Sequence, residues 1–360
     1  MNSDILVIGG GIAGISAAAR LSGHASVTVL EGEEALGYHA SGRSAAMFER
    51  EYGNRAVRAL NHASEAYHET ANGGVLSPRG IMMVARADKV AGFRHEIKEM
   101  HLQPIDLSDA FAKVPILNRK TVAMAAASDG ARDLDADRLL QNFAGEARRG
   151  GASIHLKSSV IAITHDAGGW HVESARGSFS APILVNAAGP WVDEIARMAG
   201  VAPLGFTPFR RSMAQIPAPG GHDVTGWPML HGAGESWYAK PDAGKLLVSP
   251  SEEHPMTPHD AWADDMVLAE GLARYEEMVN EPVTRLETSW AGLRTFSPDR
   301  ALVIGRDSAQ PDFFWLAGQG GYGFQTAPAA SQLARDLILG APPDLDADLV
   351  ADLSPARFAH

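Results

Sequence analysis

An α/β fold is predicted for this 360-residue chain, and three observations predict it. Within about thirty residues of the start, an apolar strand, a glycine turn, an alanine-rich helix and a second strand follow one another. In mid-chain, short alternating strands lead into another buried strand that ends in a glycine turn. Near the C-terminus, a third glycine-rich turn separates an apolar strand from an amphipathic helix.

The first unit sets the pattern. The run DILVI, residues 4–8, has the apolar character of a central parallel strand buried on both faces. In GGGIAG, Gly9, Gly11 and Gly14 keep the G-x-G-x-x-G spacing. That spacing lets the chain turn tightly, bring its backbone against a pyrophosphate and pack the next helix closely on the sheet. The second strand, SVTVLE, ends in Glu31, the acid expected to accept hydrogen bonds from an adenosine ribose. The order of these pieces, more than the glycines alone, points to dinucleotide binding.

The stretch that follows, GEEALGYHASGRSAAMF, separates two cofactors. An NAD enzyme would continue with another βα unit after Glu31. Here Gly37, Ser41, Gly42, Ser44, Ala45 and Ala46 keep side chains out of the way and leave backbone N–H groups free. Such a segment suits close approach to a large flat ring and its phosphates, which favours FAD.

Farther on, GASIHLKSSVIAITHDAGGWHVESARGSFSAPILVNAAG reads as short alternating strands, with Asp166-Ala167-Gly168-Gly169 as a hairpin turn. The segment FFWLAGQGGYGFQTAPAASQLARDLILG reads as strand, glycine turn and helix, with the helix N-terminus aimed at an anion or a polarised ring oxygen. DLDADRLLQNFAGEARRGG places acids at a helix start and arginines at its end, as the macrodipole favours. PAPGG from Pro217 and GAPPD from Gly340 punctuate the elements, without internal repeat or low-complexity linker.

With 45% hydrophobic residues, the chain can bury a sizeable core as one large or two interlocked domains. Lys plus Arg number 31 against 43 Asp plus Glu, a net charge of −12. That field repels nucleic acid and anionic membrane surfaces and leaves a small molecule as the expected partner. The absence of cysteine excludes disulfides, thiol nucleophiles, cysteine-ligated zinc and a cysteine-linked flavin. The N-terminus lacks the order of a signal peptide, and no apolar run approaches the roughly 18 to 20 residues of a spanning helix. A cytoplasmic protein without an integral membrane segment is the expectation.

Several longer pieces carry a resemblance: GYHASGRSAA, EYG at 51–53, LSPRG from Leu76, VNAAGPWVDEIA from Val185, PFRRS from Pro208, WPML from Trp227, ESWYAKPDAG from Glu235, SWAGLRTF from Ser289 and GQGGYGFQTAPA from Gly318. In order and over nearly the whole chain, they resemble the D-amino-acid oxidase (DAO) superfamily of flavoproteins. Within it they are most similar to bacterial D-arginine dehydrogenase-type D-amino acid dehydrogenases. The resemblance implies a Rossmann-like FAD-binding domain of the GR2/DAO type, assembled from residues 1–76, 143–205 and 297–360. It would interlock with an α+β substrate domain containing a large antiparallel sheet, from residues 77–142 and 206–296. It also implies noncovalent FAD. Beside the glycines, Glu31 and the small residues above, Ile12, Ala13, Arg43, Ala188, Gly189 and Trp191 would line it, with Val160 meeting the adenine through its backbone. The last turn would add Gly320, Gly321, Tyr322, Gly323, Gln325 and Thr326.

Oxidising an amino acid at Cα with a flavin needs little acid–base chemistry from the protein. The enzyme must hold the carboxylate, admit the amine unprotonated and point Cα–H at flavin N5. An arginine fork holds a carboxylate best, through two parallel hydrogen bonds. By resemblance, Arg211 and Arg294 take that position, Tyr52 and Tyr238 supply substrate-facing hydroxyls, and Gly321 lets the amine reach a backbone carbonyl. Arg210 is the nearest rival to Arg211. Outside these motifs, such arginines would read as solvated surface and such tyrosines as half-buried packing.

The departures from the subfamily pattern concern specificity. Ile81 stands where a carboxylate would receive a guanidinium, and Met47 where a pocket histidine would be. With Met229 they describe an apolar wall and an uncharged, hydrophobic substrate side chain. Glu49 is the counter-argument, since facing the pocket it would bind a cation, but a glutamate is far more often solvated surface. His231 replaces an apolar residue and either caps a polar substrate tail or is a satisfied half-buried histidine. EEHPMTPHDAWADD offers His254, His259, Asp260 and Asp264, but its prolines and lack of a helical histidine pair make it an exposed acidic loop rather than a metal site.

The expected function is FAD-dependent oxidation of a D-amino acid with an uncharged side chain. Hydride leaves Cα for flavin N5, and the imino acid hydrolyses to a 2-oxo acid and ammonia. The same arginines would serve an N-alkyl amino acid, as in sarcosine or glycine oxidases, or a 2-hydroxy acid. A flavin-carrying electron-transfer subunit of a larger complex is the reading from a different class. The electron acceptor, whether oxygen, quinone or protein, is open.

Overall fold

The computed structural model describes residues 1–358. Its first strand, Ile5–Ile8, is buried along its whole length, because parallel neighbours flank it on both sides, helices cover one face and a small sheet with a short helix covers the other. Val27–Leu30 and then Ser153–His155 lie to one side, Ile183–Asn186 and Phe313–Ala317 to the other, all parallel. Val303–Arg306 closes the six-stranded sheet in the antiparallel sense. The glycine turns after Ile8, Asn186 and Ala317 therefore come to one edge, at the carboxyl ends of three adjacent strands. In an open α/β sheet that edge is where ligands bind.

The helices Ile12–Leu21, Ala136–Arg149 and Gly323–Leu339 share one apolar core with this sheet, through Ile15, Ala18, Leu140, Phe143, Leu333 and Ala334. Asp135 caps the second of them, its Oδ1 accepting from the Arg138 N–H at 2.9 Å. This helix runs unbroken through residue 143, and its Leu139, Leu140, Phe143, Ala144 and Ala147 all pack in the core of this sheet. A separate three-stranded sheet holds Val160–Asp166, Gly169–Ser174 and Gly177–Ala181. Asp166 pairs with Gly169, leaving Ala167 and Gly168 as the two-residue turn.

The large sheet has nine strands. It is antiparallel except where Ile81–Ala85 runs parallel to Met229–Gly232. Its longest pair, Thr207–Ile216 with Thr288–Phe296, sets Arg211 opposite Gly292 and Phe209 opposite Arg294. Directly opposed residues share a face, and so do residues two apart. Arg211 and Arg294 are thus diagonal neighbours on one face, while Arg210 lies on the other. A small third sheet joins Met47–Phe48, Arg132–Leu134 and Leu76–Pro78. Among the described residues, no helix is long and apolar enough to cross a membrane.

Candidate active site

The first helix starts at the glycine edge with Gly11 as its extended N-cap and no side-chain cap. Its early N–H groups therefore face the edge as free donors, apart from that of Ile12, which donates to Ser41 Oγ at 3.0 Å. A Cβ on Gly14 would run into the Gly9 carbonyl, so turn and helix close only around glycine. Glu31 sits at its strand end, accepting from the Gly10 N–H at 2.6 Å and the Glu33 N–H at 2.8 Å. An ionised carboxylate has about four acceptor positions, which leaves capacity for a ribose hydroxyl. The last helix, Gly323–Leu339, likewise begins without a side-chain cap.

Between these two helix starts runs a groove of about 120 Å³, lined by small residues including Gly11, Ala40, Ser44, Gly189, Gly292 and Gly323. Uncapped helix ends for phosphate, an acid for ribose and a narrow small-residue groove for a flat ring together fit FAD. Ile12, Ala13, Ser41, Ala45, Gly320 and Gly321 line the same groove. Gly37 and Gly42 brace the segment from within, the Gly42 N–H donating to the Gly37 carbonyl at 2.6 Å. Val160 is the half-buried first residue of its strand, and Trp191 packs its ring on His39 at 4.7 Å.

Three residues expected at the cofactor spend their side chains elsewhere. The Arg43 guanidinium donates to the carbonyls of Ala261 and Ala291 and pairs with Asp260 at 2.5 Å, so only its stem lies at the groove. Gln325 Oε1 accepts from the Glu49 N–H at 2.6 Å, and Thr326 Oγ1 donates to the Tyr322 carbonyl at 2.9 Å. Both lie within the first helical turn and are buried, and Gln325 also borders the larger cavity beyond the groove.

The groove opens into a cavity of about 440 Å³ that shares Ser44, Ala45, Arg211, Tyr238, Arg294 and Gly321 with it. Arg211 is 9% exposed. Its Nε donates to the Glu252 carbonyl at 2.9 Å, and Nη2 pairs with Glu253 at 3.2 Å. Burial, then the nearby Arg294 charge, lowers its pKa. Arg294 is half-buried and has no hydrogen bond or carboxylate partner among the described residues. A Cβ on Gly321 would stand 3.2 Å from Arg294 Nη1, so glycine brings the backbone onto the guanidinium. Arg210 faces away, 3.7 Å from Glu252 and 3.6 Å from Asp264.

Tyrosines surround the free guanidinium. Tyr238 is buried, yet its hydroxyl has no partner among the described residues. Tyr52 meets Tyr322 edge-on at 5.5 Å. Burial raises the pKa of Tyr52 and pushes that of Tyr322 up to about 12, so these phenols keep their protons at neutral pH and can donate. A cation with an open fork beside O–H donors has the chemistry to receive a carboxylate.

Met47, Ile81 and Met229 lie together in the cavity wall, joined by Met83 and Met100. His231 lines the cavity too, stacked on Tyr238 at 5.8 Å as its cross-strand partner. Burial, then the Arg211 charge, holds its pKa near 4, so the imidazole is neutral at pH 7. Glu49 is also in the wall, and burial raises its carboxyl pKa. The wall is therefore less uniformly apolar than Ile81 and the methionines suggest.

Two further features escaped the sequence reading. Lys240, 6% exposed, donates from Nζ to the Ala45 and Ala46 carbonyls at 2.6 and 3.2 Å and lies 3.1 Å from Asp133 Oδ1. It is two residues from Tyr238 on one strand and so shares its face. The 252–264 segment, expected as an exposed acidic loop, is exposed at His254, Asp260 and Trp262 but tied to the protein at several of its carboxylates. Buried Glu252 accepts from the Ser212 N–H at 2.8 Å, Glu253 pairs with Arg211 and Arg300, and Asp264 caps the helix Asp265–Glu276.

Residues 4–337 match the family described as DAO, FAD dependent oxidoreductase. Glycine oxidase of Pseudomonas putida is 25% identical, over 96% of this chain and 97% of that protein. Mitochondrial dimethylglycine dehydrogenase of Homo sapiens is 24% identical over 99% of this chain but 44% of its own length. This chain therefore spans less than half of that relative. In structure, glycine oxidase from Geobacillus kaustophilus superposes with a TM-score of 0.85 at 20% identity, covering 99% of each chain. With the glycine edge, the groove and the match over nearly its whole length, the chain belongs to the DAO family of FAD-dependent oxidoreductases.

Proposed function

We propose that this protein oxidises an N-alkylated amino acid, a secondary or tertiary amine bearing a carboxylate. The observation that carries the reading is the unpartnered Arg294 guanidinium at the junction of groove and cavity. The relative named for dimethylglycine favours an amine-substituted substrate over the primary D-amino acid that the sequence alone suggests. When bound, FAD supplies a two-electron acceptor for the hydride lost from the carbon beside the nitrogen.

The protein's own part is positioning. Arg294 and Arg211 hold the carboxylate, Tyr52 and Tyr238 donate to it, and the backbone at Gly321 leaves room for the amine. Neutral His231 adds no competing positive charge beside the arginines. Met47, Ile81 and Met229 pack the substituent and keep water away from it. An electron-transfer subunit would have no use for an open arginine fork.

The test is anaerobic mixing of the flavin-loaded protein with N-methyl and N,N-dimethyl amino acids, primary D- and L-amino acids and 2-hydroxy acids. The N-alkyl set reduces the flavin fastest. Reduction by primary D-amino acids alone would restore the D-amino-acid reading, and reduction by hydroxy acids alone would remove amines as the substrate class.

A further inference from the structure

Resting on the reading that Arg211 and Arg294 hold a carboxylate, we propose that Glu49 forms a cation-binding subsite in the same cavity. The preferred substrate then carries a second, positively charged nitrogen on the substituent that runs along the methionine wall. The Glu49 N–H donates to Gln325 Oε1 at 2.6 Å, and its carbonyl accepts from Asn61 Nδ2 at 3.3 Å. These bonds set the backbone of Glu49 at the cavity wall, which the residue lines.

The carboxylate is poorly served within the protein. Oε1 accepts from the Glu51 N–H at 3.3 Å, and buried Oε2 has no partner among the described residues. No cationic side chain among them lies within 4.0 Å of it. Arg132, the neighbouring positive charge, is taken up by Glu65 and Glu69. A buried carboxylate oxygen left without a donor is costly, and a ligand cation relieves that cost. Two more cavity carboxylates, Glu99 and Glu235, are exposed and unpaired among the described residues, and Arg58, which donates to the Gly53 carbonyl, lines the same cavity.

The cavity is built to match. Its 440 Å³ falls in the range of pockets that enclose drug-sized ligands, far beyond what glycine fills. Arginines stand at the groove junction, methionines and Ile81 line the wall, and Glu49 contributes an unpaired carboxyl that a ligand cation would hold in its charged form. A chain with an anionic head and a cationic tail complements that arrangement.

Non-reacting ligands test this without assuming which amine is oxidised. The probes are ω-amino carboxylates, from aminobutanoate to aminooctanoate, each against its matched n-alkyl carboxylate. Binding to the flavin-loaded protein is read by calorimetry and by perturbation of the flavin spectrum. At the best chain length the amino carboxylate binds about 10-fold or more tightly than its alkyl match, a ratio that one desolvated charge contact supplies. In Glu49→Gln the ratio collapses to near one, and Glu49→Met reverses it in favour of the alkyl ligand. Equal affinity in the native protein, or a preference that survives both variants, overturns the subsite. Arg294→Ala weakens both ligands of a pair alike. If it weakens neither, the carboxylate reading fails instead, and the two failures are told apart.

Discussion

Arg294→Ala lowers kcat/KM by roughly 100-fold or more while FAD stays bound. A charged hydrogen-bonded contact removed from a water-poor site costs on the order of 3 kcal/mol, which is about two decades in rate. The loss exceeds that for Arg211→Ala, because Arg211 already has Glu253 and the Glu252 carbonyl as partners. Arg294 has no such commitment, so its whole fork is available to substrate. FAD retention follows from position, since the phosphate edge lies at the strand ends of the other sheet. The check is steady-state kinetics beside flavin content. Native kinetics in the variant would remove Arg294 from the substrate.

Lys240→Met destabilises the protein by about 3 kcal/mol and weakens FAD retention together with it, since hydrogen bonds to a charged group carry roughly 1.5 to 3 kcal/mol. One buried ammonium ties the carbonyls of Ala45 and Ala46, in the groove segment, to the large sheet and to Asp133. Ala46 holds a positive φ of 41° without being glycine, a conformation that needs outside support. Removing the ammonium frees that strained turn. It also leaves Asp133 with Arg79 alone, at 2.8 Å from Nε. Urea unfolding of the apoprotein and the rate of FAD dissociation measure the two effects. An unchanged midpoint with unchanged FAD release would show that the segment holds its own shape.

The sequence carried the cofactor edge clearly because that information is local. Gly9, Gly11, Gly14 and Glu31 sit within one βαβ unit, and the order of their elements is enough to place them. Arg211 against Arg210 was different. Adjacent arginines on a strand are equivalent until the register with Arg294 says which face is which, and that register joins residues about eighty positions apart.

Lys240 was invisible for the same reason. Its partners are 194 and 195 residues away, and a lysine in a strand reads as solvated surface. Gln325 and Thr326 were placed by motif, but helix periodicity and burial turn their side chains toward Glu49 and Tyr322. The 252–264 segment looked untied because its acids are many. The donors that satisfy them, the Ser212 N–H on Glu252 and the Arg211 and Arg300 guanidinium groups on Glu253, come from distant parts of the chain. Burial of Glu49 likewise depends on Phe48, Gln325 and Asn61 meeting in space.

The most direct measurement compares one N-alkyl amino acid with its own primary amide, mixed anaerobically with the native flavin-loaded protein. Both molecules carry the same oxidisable carbon and nitrogen, and they differ in whether the arginines meet a negative charge. Rapid loss of the oxidised-flavin band with the acid, and reduction at least 100-fold slower with the amide, is the predicted result, matching the roughly 3 kcal/mol assigned to the contact. Equal reduction by both would contradict the central claim that the Arg294 end of the cavity selects substrates by their carboxylate.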